Sequence, residues 1–222
     1  MRTGFDGAAL VRLLSRLTGA GVREPRQVTA DGLSQWFGWT DAISLSAALN
    51  GNPAAPASNA RGTPAASPTA EETECRRVRA ALTTAISEDS IFVAAPTGDA
   101  VPDFAPFRQR YLARQQAMDA GIAPLRGRLR ARLAAQSPDM ARLAAVDVVM
   151  EQVLGAQERS LLAGVPALLD KHFRQLRQAA PDAWLDVFRR DARDVLLAEL
   201  DLRFQPVEGL LEALRTRQPK IQ

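Results

Sequence analysis

Leucine, valine and phenylalanine recur along the chain at steps of three and four, the repeat of a helix with one buried face. Leu10, Leu13, Leu14 and Leu17 keep this spacing near the start, and Gly19-Ala20-Gly21 ends it. A long stripe runs through Leu143, Val146, Met150, Val153, Leu154, Leu161, Val165, Leu168 and Leu169, and another through Leu196, Leu200, Phe204, Val207, Leu211 and Leu214. Alternation of period two, the mark of a half-buried strand, is confined to one short candidate, SIFVAA at 90–95. The pattern predicts an all-α protein whose stripes are buried against one another or against another chain.

Capping residues and breakers divide the pattern. Residues 1–50 read as a small unit of three short helices. Thr29 caps the second, which carries Leu33, Trp36 and Phe37 and stops at Gly38; Thr40 caps the third, which ends at Asn50-Gly51. Residues 51–69 are rich in proline, alanine and serine and have too little bulk for a core, so a disordered linker is expected. Residues 70–218 read as long helices with short connections, hence an antiparallel bundle. The first opens on Glu71, Glu72 and Glu74. The second covers about 104–136, with a bend expected at Gly121 and Pro124; the third starts at Ser137-Pro138 and reaches about 179, with a kink at Gly164 and Pro166. The last starts near Pro181-Asp182 and runs to about 216, with a break expected at Gln205-Pro206.

Composition adds limits. Apolar residues make up 46% of the 222 and charged residues 24%, as in an ordinary soluble domain. The one cysteine, Cys75, excludes an internal disulfide framework and points to the cytoplasm. The run LLAGVPALL at 161–169 falls short of the ~20 residues of a membrane span. Asp6 and Arg12 interrupt the N-terminal apolar run, so no signal peptide is expected.

The residues for catalysis are sparse. His172 is the single histidine and sits beside an apolar stripe, where a boundary histidine of the bundle is the expectation. Cys75 has arginines nearby but no resolving partner. No phosphate-binding glycine loop and no nucleophile elbow occurs. Asp147 and Glu151 lie one turn apart, but the Glu-x-x-His motif of carboxylate metal sites is absent, so ion-paired or solvated acids are expected. The chain therefore reads as non-enzymatic, with no metal and no cofactor.

Two features suggest partners instead. Trp36, Phe37 and Trp39 crowd the aromatic residues of a chain with few, and serve either as anchors for a protein partner or as the core of the N-terminal unit. A unit this small needs docking or oligomerisation for stability. Residues 30–49 also loosely resemble a helix-turn-helix, but TDAISLSAAL has no cation to meet phosphate or guanine, which argues against nucleic-acid reading there. The second feature is PLRGRLRARLAAQ. On a helical wheel Arg126 and Arg130 fall on one side of a Leu125, Leu129, Leu133 seam, and Arg128 and Arg132 on the other. Such flanks suit carboxylates of a neighbouring helix, for which Asp182, Asp186, Asp191, Asp194, Glu199 and Asp201 are the expected source.

The segments RTGFDGAALVRLLSRLTGAGVREPRQ and LSQWFGWTDAISLSAALNG resemble a proteobacterial family defined only as a domain of unknown function, and the likeness extends over most of the chain. The resemblance implies no catalytic residue. It implies an accessory role beside envelope proteins of the stator and peptidoglycan-binding type. The function expected is thus a helical adaptor or assembly protein acting through protein contacts, possible homo-oligomers included. The alternative is nucleic-acid or polyanion binding through the Arg-rich helix 108–132.

Overall fold

The computed structural model describes residues 7–19, 39–51, 68–93, 103–179 and 183–216. Among them every regular element is helical: α1 (Gly7–Thr18), α2 (Trp39–Asn50), α3 (Pro68–Ser87), α4 (Ser90–Val93), α5 (Ala105–Ala134), α6 (Pro138–Ala163), α7 (Val165–Ala179) and α8 (Trp184–Thr216). The all-α expectation holds. The second N-terminal helix and the linker 52–67 lie outside the described residues.

Local chemistry explains the ends. Gly19 takes a positive φ of 64°, a conformation that costs glycine little, and ends α1. Ser137 starts α6: its carbonyl accepts from Ala141 N at 2.9 Å and its hydroxyl from Met140 N at 3.3 Å, with Pro138 at the first helical position. Of the short strand candidate at 90–95, residues Ser90–Val93 form the helical turn α4, and 94–95 lie outside the described residues. Asp89 sets it, its side chain accepting from Ile91 N at 3.3 Å and its carbonyl from Phe92 N at 2.9 Å.

Two further expectations are corrected. No break occurs at Gln205-Pro206; α8 continues through Pro206. A helical proline forfeits one hydrogen bond, but Leu200, Phe204, Val207, Leu210 and Leu214 are all buried and hold the helix together across it. The long stripe on 143–169 is also partly misplaced. Leu143, Leu161 and Leu168 are exposed, at 38%, 70% and 36%, while Ala144, Val149, Val153 and Leu162 are buried. The helix is interrupted at Gly164, which resets the helical phase between α6 and α7.

The chain groups into two compact units, each assembled from separate stretches: 1–25, 78–121 and 162–204 in one, 26–77, 122–161 and 205–222 in the other. In the first unit α1 packs on α7, with Leu10 and Leu17 buried. Its core is aromatic: Phe107 and Phe173 meet Phe188 edge-on at 5.1 and 5.0 Å, and Trp184 stands on Phe173 at 4.9 Å. The core of the second unit is aliphatic. Leu125, Leu129 and Leu133 of α5 are nearly sealed from solvent, with Val153 of α6 and Val207, Leu210 and Leu214 of α8 also buried.

Candidate functional site

The arginine-rich helix comes first. The leucine seam is buried and the arginines flank it as the wheel predicts. Their partners differ from those expected. Arg126 Nε and Nη2 each donate to Asp147 at 2.8 Å, and Arg130 Nε donates to Asp147 Oδ2 at 2.6 Å. Glu151 joins the same side, 2.7 Å from Arg130. On the other flank Arg128 donates to Glu74 at 3.1 Å, and Arg132 lies 3.6 Å from Glu71. The carboxylates thus come from α6 and α3. The acids expected from α8 between 186 and 201 belong to the other unit, where Asp191 meets His172 and Asp201 meets Arg79 at 2.6 Å. Asp182 lies outside the described residues.

These pairs set the local acidities. Burial pushes the Asp147 carboxyl up, but hydrogen bonds from Arg126 and Arg130 and their charges outweigh it, so the net shift is downward. Glu74 is lowered to about 2, first by its hydrogen bonds from Arg77 and then by Arg128. A carboxylate depressed in the folded state contributes stability that is complete above its unfolded pKa, about 3.9 for Asp. That contribution is lost as pH falls through the lower folded value. The stability of Asp147→Asn should therefore fall less steeply than wild type between about pH 5 and pH 2, measured as urea midpoints at stepped pH. Parallel slopes would mean that Asp147 carries no differential protonation.

The residues considered for catalysis are built into the interior. Cys75 is buried, and burial, reinforced by Glu71, raises its thiol pKa, which keeps it protonated and a poor nucleophile. His172 is buried with Nε2 2.8 Å from Asp191 Oδ2 and its ring tilted against Phe188. Among the described residues no cluster of three or more histidine, cysteine, aspartate or glutamate side chains could hold a metal.

One polar cluster was missed by sequence reasoning. Glu199 of α8 is fully buried, yet every oxygen is used. Tyr111 Oη donates to Oε2 at 2.7 Å, Arg203 Nε donates to Oε1 at 2.9 Å, and Gln115 Nε2 donates to both, at 3.0 and 3.1 Å. Burial first, and the Glu199 charge second, push the Tyr111 pKa well up, so its hydroxyl stays a donor. Gln115 Nε2 also donates to the Leu162 carbonyl at 3.2 Å. Pro166 has no N–H, so that carbonyl lacks its helical donor four residues on; Gln115 takes the donor's place. A signal was present, since Glu199 sits inside the Leu196–Leu200 stripe. Arg203, four residues on, was within reach of the helical spacing, but Tyr111 and Gln115, on a helix more than eighty residues earlier, were not legible.

Two surfaces remain open. Helix α2, WTDAISLSAALN, carries one charged side chain, Asp41, and its other polar residues are Thr40, Ser44, Ser46 and Asn50. Ile43 and Leu49 are 54% and 55% exposed. Ser44 donates its hydroxyl to Thr40 O at 2.9 Å. After the helix, Gly51 O accepts from Arg142 Nε at 3.2 Å. Trp36 and Phe37 lie outside the described residues, and of Trp39 only its place as the first residue of α2 is described. The other surface is a half-open groove of about 330 Å³ in the first unit, lined by Phe104, Arg108 and Leu112 of the α5 region and by Ala163, Pro166, Ala167 and Asp170 around the α6–α7 interruption. No helix among the described residues is long and apolar enough to cross a membrane.

Comparison with known proteins sets this architecture in context. No curated protein and no solved structure matches the chain. A family model described as "Protein of unknown function (DUF3348)" matches residues 1–216, nearly the whole length. The chain therefore belongs to the DUF3348 family.

Proposed function

We propose that this chain is a non-enzymatic helical adaptor or assembly protein that works through protein–protein contacts, with α2 as its docking element. The observation that carries the proposal is the exposure of Ile43 and Leu49 on a helix with a single charged side chain. Large apolar side chains left exposed on a short helix suit burial against a partner. The partner that suits it is a protein with an apolar groove of low charge that accepts a helix. Trp36, Phe37 and Trp39 stand just before or at the start of α2 in the sequence and are the aromatic residues that would anchor the same partner. We place the protein in the cytoplasm, as an accessory to an envelope-associated assembly. The alternative, polyanion binding through Arg126, Arg128, Arg130 and Arg132, is weakened by the engagement of all four with internal carboxylates.

A photocrosslinking residue at position 49, introduced in cells that encode the protein, tests this. The expected result is one dominant adduct with another protein, lost on adding Ile43→Asp while the thermal midpoint stays unchanged. An adduct only with a second copy, or none, would overturn the adaptor proposal.

A further inference from the structure

We propose that the groove beside the α6–α7 interruption holds a partner segment presenting a large apolar side chain next to a carboxylate. This rests on the adaptor reading and names the chemistry of one contact. The floor is preorganised: the Phe104 ring is fixed against Phe173 and Phe188 at centroid distances of 5.7 and 6.1 Å. Leu112 adds to the apolar lining, as do Ala163 and Ala167, one turn apart across the interruption, whose small side chains fill little of the space. About 330 Å³, half open, suits one anchoring side chain better than an enclosed cofactor.

Charge selects the rest of the occupant. Asp170, which lines the groove, is engaged by Arg174 four residues on. Arg108, which also lines it, is an exposed residue with no carboxylate partner among the described residues, so the uncommitted charge at the groove is positive. A cation beside an apolar slot favours an anion attached to the group that fills the slot. A nucleic acid would want a run of such cations along one face, which the groove does not offer.

Three probes sharing one ring test the assignment on the full chain: N-acetylphenylalaninate, neutral N-acetylphenylalaninamide and cationic phenylalaninamide, followed by methyl shifts of Leu112, Ala163 and Ala167. The anion should bind about two- to fivefold tighter than the cation, the range of an exposed ion pair. Arg108→Glu should reverse that order. Ala167→Trp should abolish saturable shifts while the methyl signals of Leu129 and Leu133 stay in place. Absence of saturable shifts with every probe, or an order unchanged in Arg108→Glu, would overturn the proposal. Probe binding as described without a crosslink at position 49 would refute docking by α2 alone; the converse would refute the groove alone.

Discussion

Replacing Glu199 by alanine should lower the unfolding free energy by about 3–5 kcal/mol, the cost of removing one partner from a buried ionic cluster. The loss is large because the carboxylate is fully buried and accepts from Tyr111, Gln115 and Arg203; the buried Tyr111 hydroxyl would lose its acceptor, and Arg203 and Gln115 would each lose a buried one. Urea denaturation at neutral pH measures it. A loss under about 1 kcal/mol would mean that water or a shifted side chain satisfies the donors. The same cluster permits a sharper test. Gln115 serves Glu199 and also the Leu162 carbonyl left open by Pro166. Restoring the peptide N–H with Pro166→Ala should make Gln115→Ala about 1 kcal/mol less costly than in the parent. Additive effects would show that Gln115 acts through Glu199 alone.

The second large effect lies in the other unit. Leu129→Ala should destabilise by about 2–5 kcal/mol, since the side chain is essentially sealed and the surrounding helices cannot collapse onto the void. Arg128→Ala, next to it in sequence, should change stability by less than about 0.5 kcal/mol. Its side chain is 53% exposed and its pair with Glu74 is of the kind that salt and rotamer entropy largely cancel. Equal losses from the two would mean that the flanking ion pairs, and not the seam, hold α5 in place.

The legibility of this fold in the sequence follows from range. Interactions within a few residues were readable: the 3–4 spacing gave the helices, Ser137-Pro138 gave the start of α6, and the wheel put Leu125, Leu129 and Leu133 inside with arginines on both sides. SIFV was ambiguous because three apolar residues in a row carry no period, and the cap at Asp89 decided the matter. The break expected at Pro206 was overruled by burial on both sides of it. What could not be read was which helix lies beside which. The acids on α8 looked as suitable for the arginine flanks as those on α3 and α6, and charge alone does not choose between them. The groove was equally invisible, since it depends on alanines at 163 and 167 lining it together with Phe104 and Leu112 from a distant stretch of chain. For the tryptophan segment, the helix expected to be capped by Thr40 instead opens at Trp39, so Thr40 lies inside it, while Trp36 and Phe37 lie outside the described residues.

The central claim is that function lies in the exposed apolar helix α2 and not in the arginines of α5. Its most direct test is retention of the native partner across a salt series by wild type, Ile43→Asp/Leu49→Asp and Arg128→Gln/Arg132→Gln, each verified as folded. Retention by wild type and the arginine variant into high salt, with loss in the α2 variant at every salt, is the predicted result. Retention by the α2 variant, together with capture that collapses as salt rises and vanishes in the arginine variant, would contradict it.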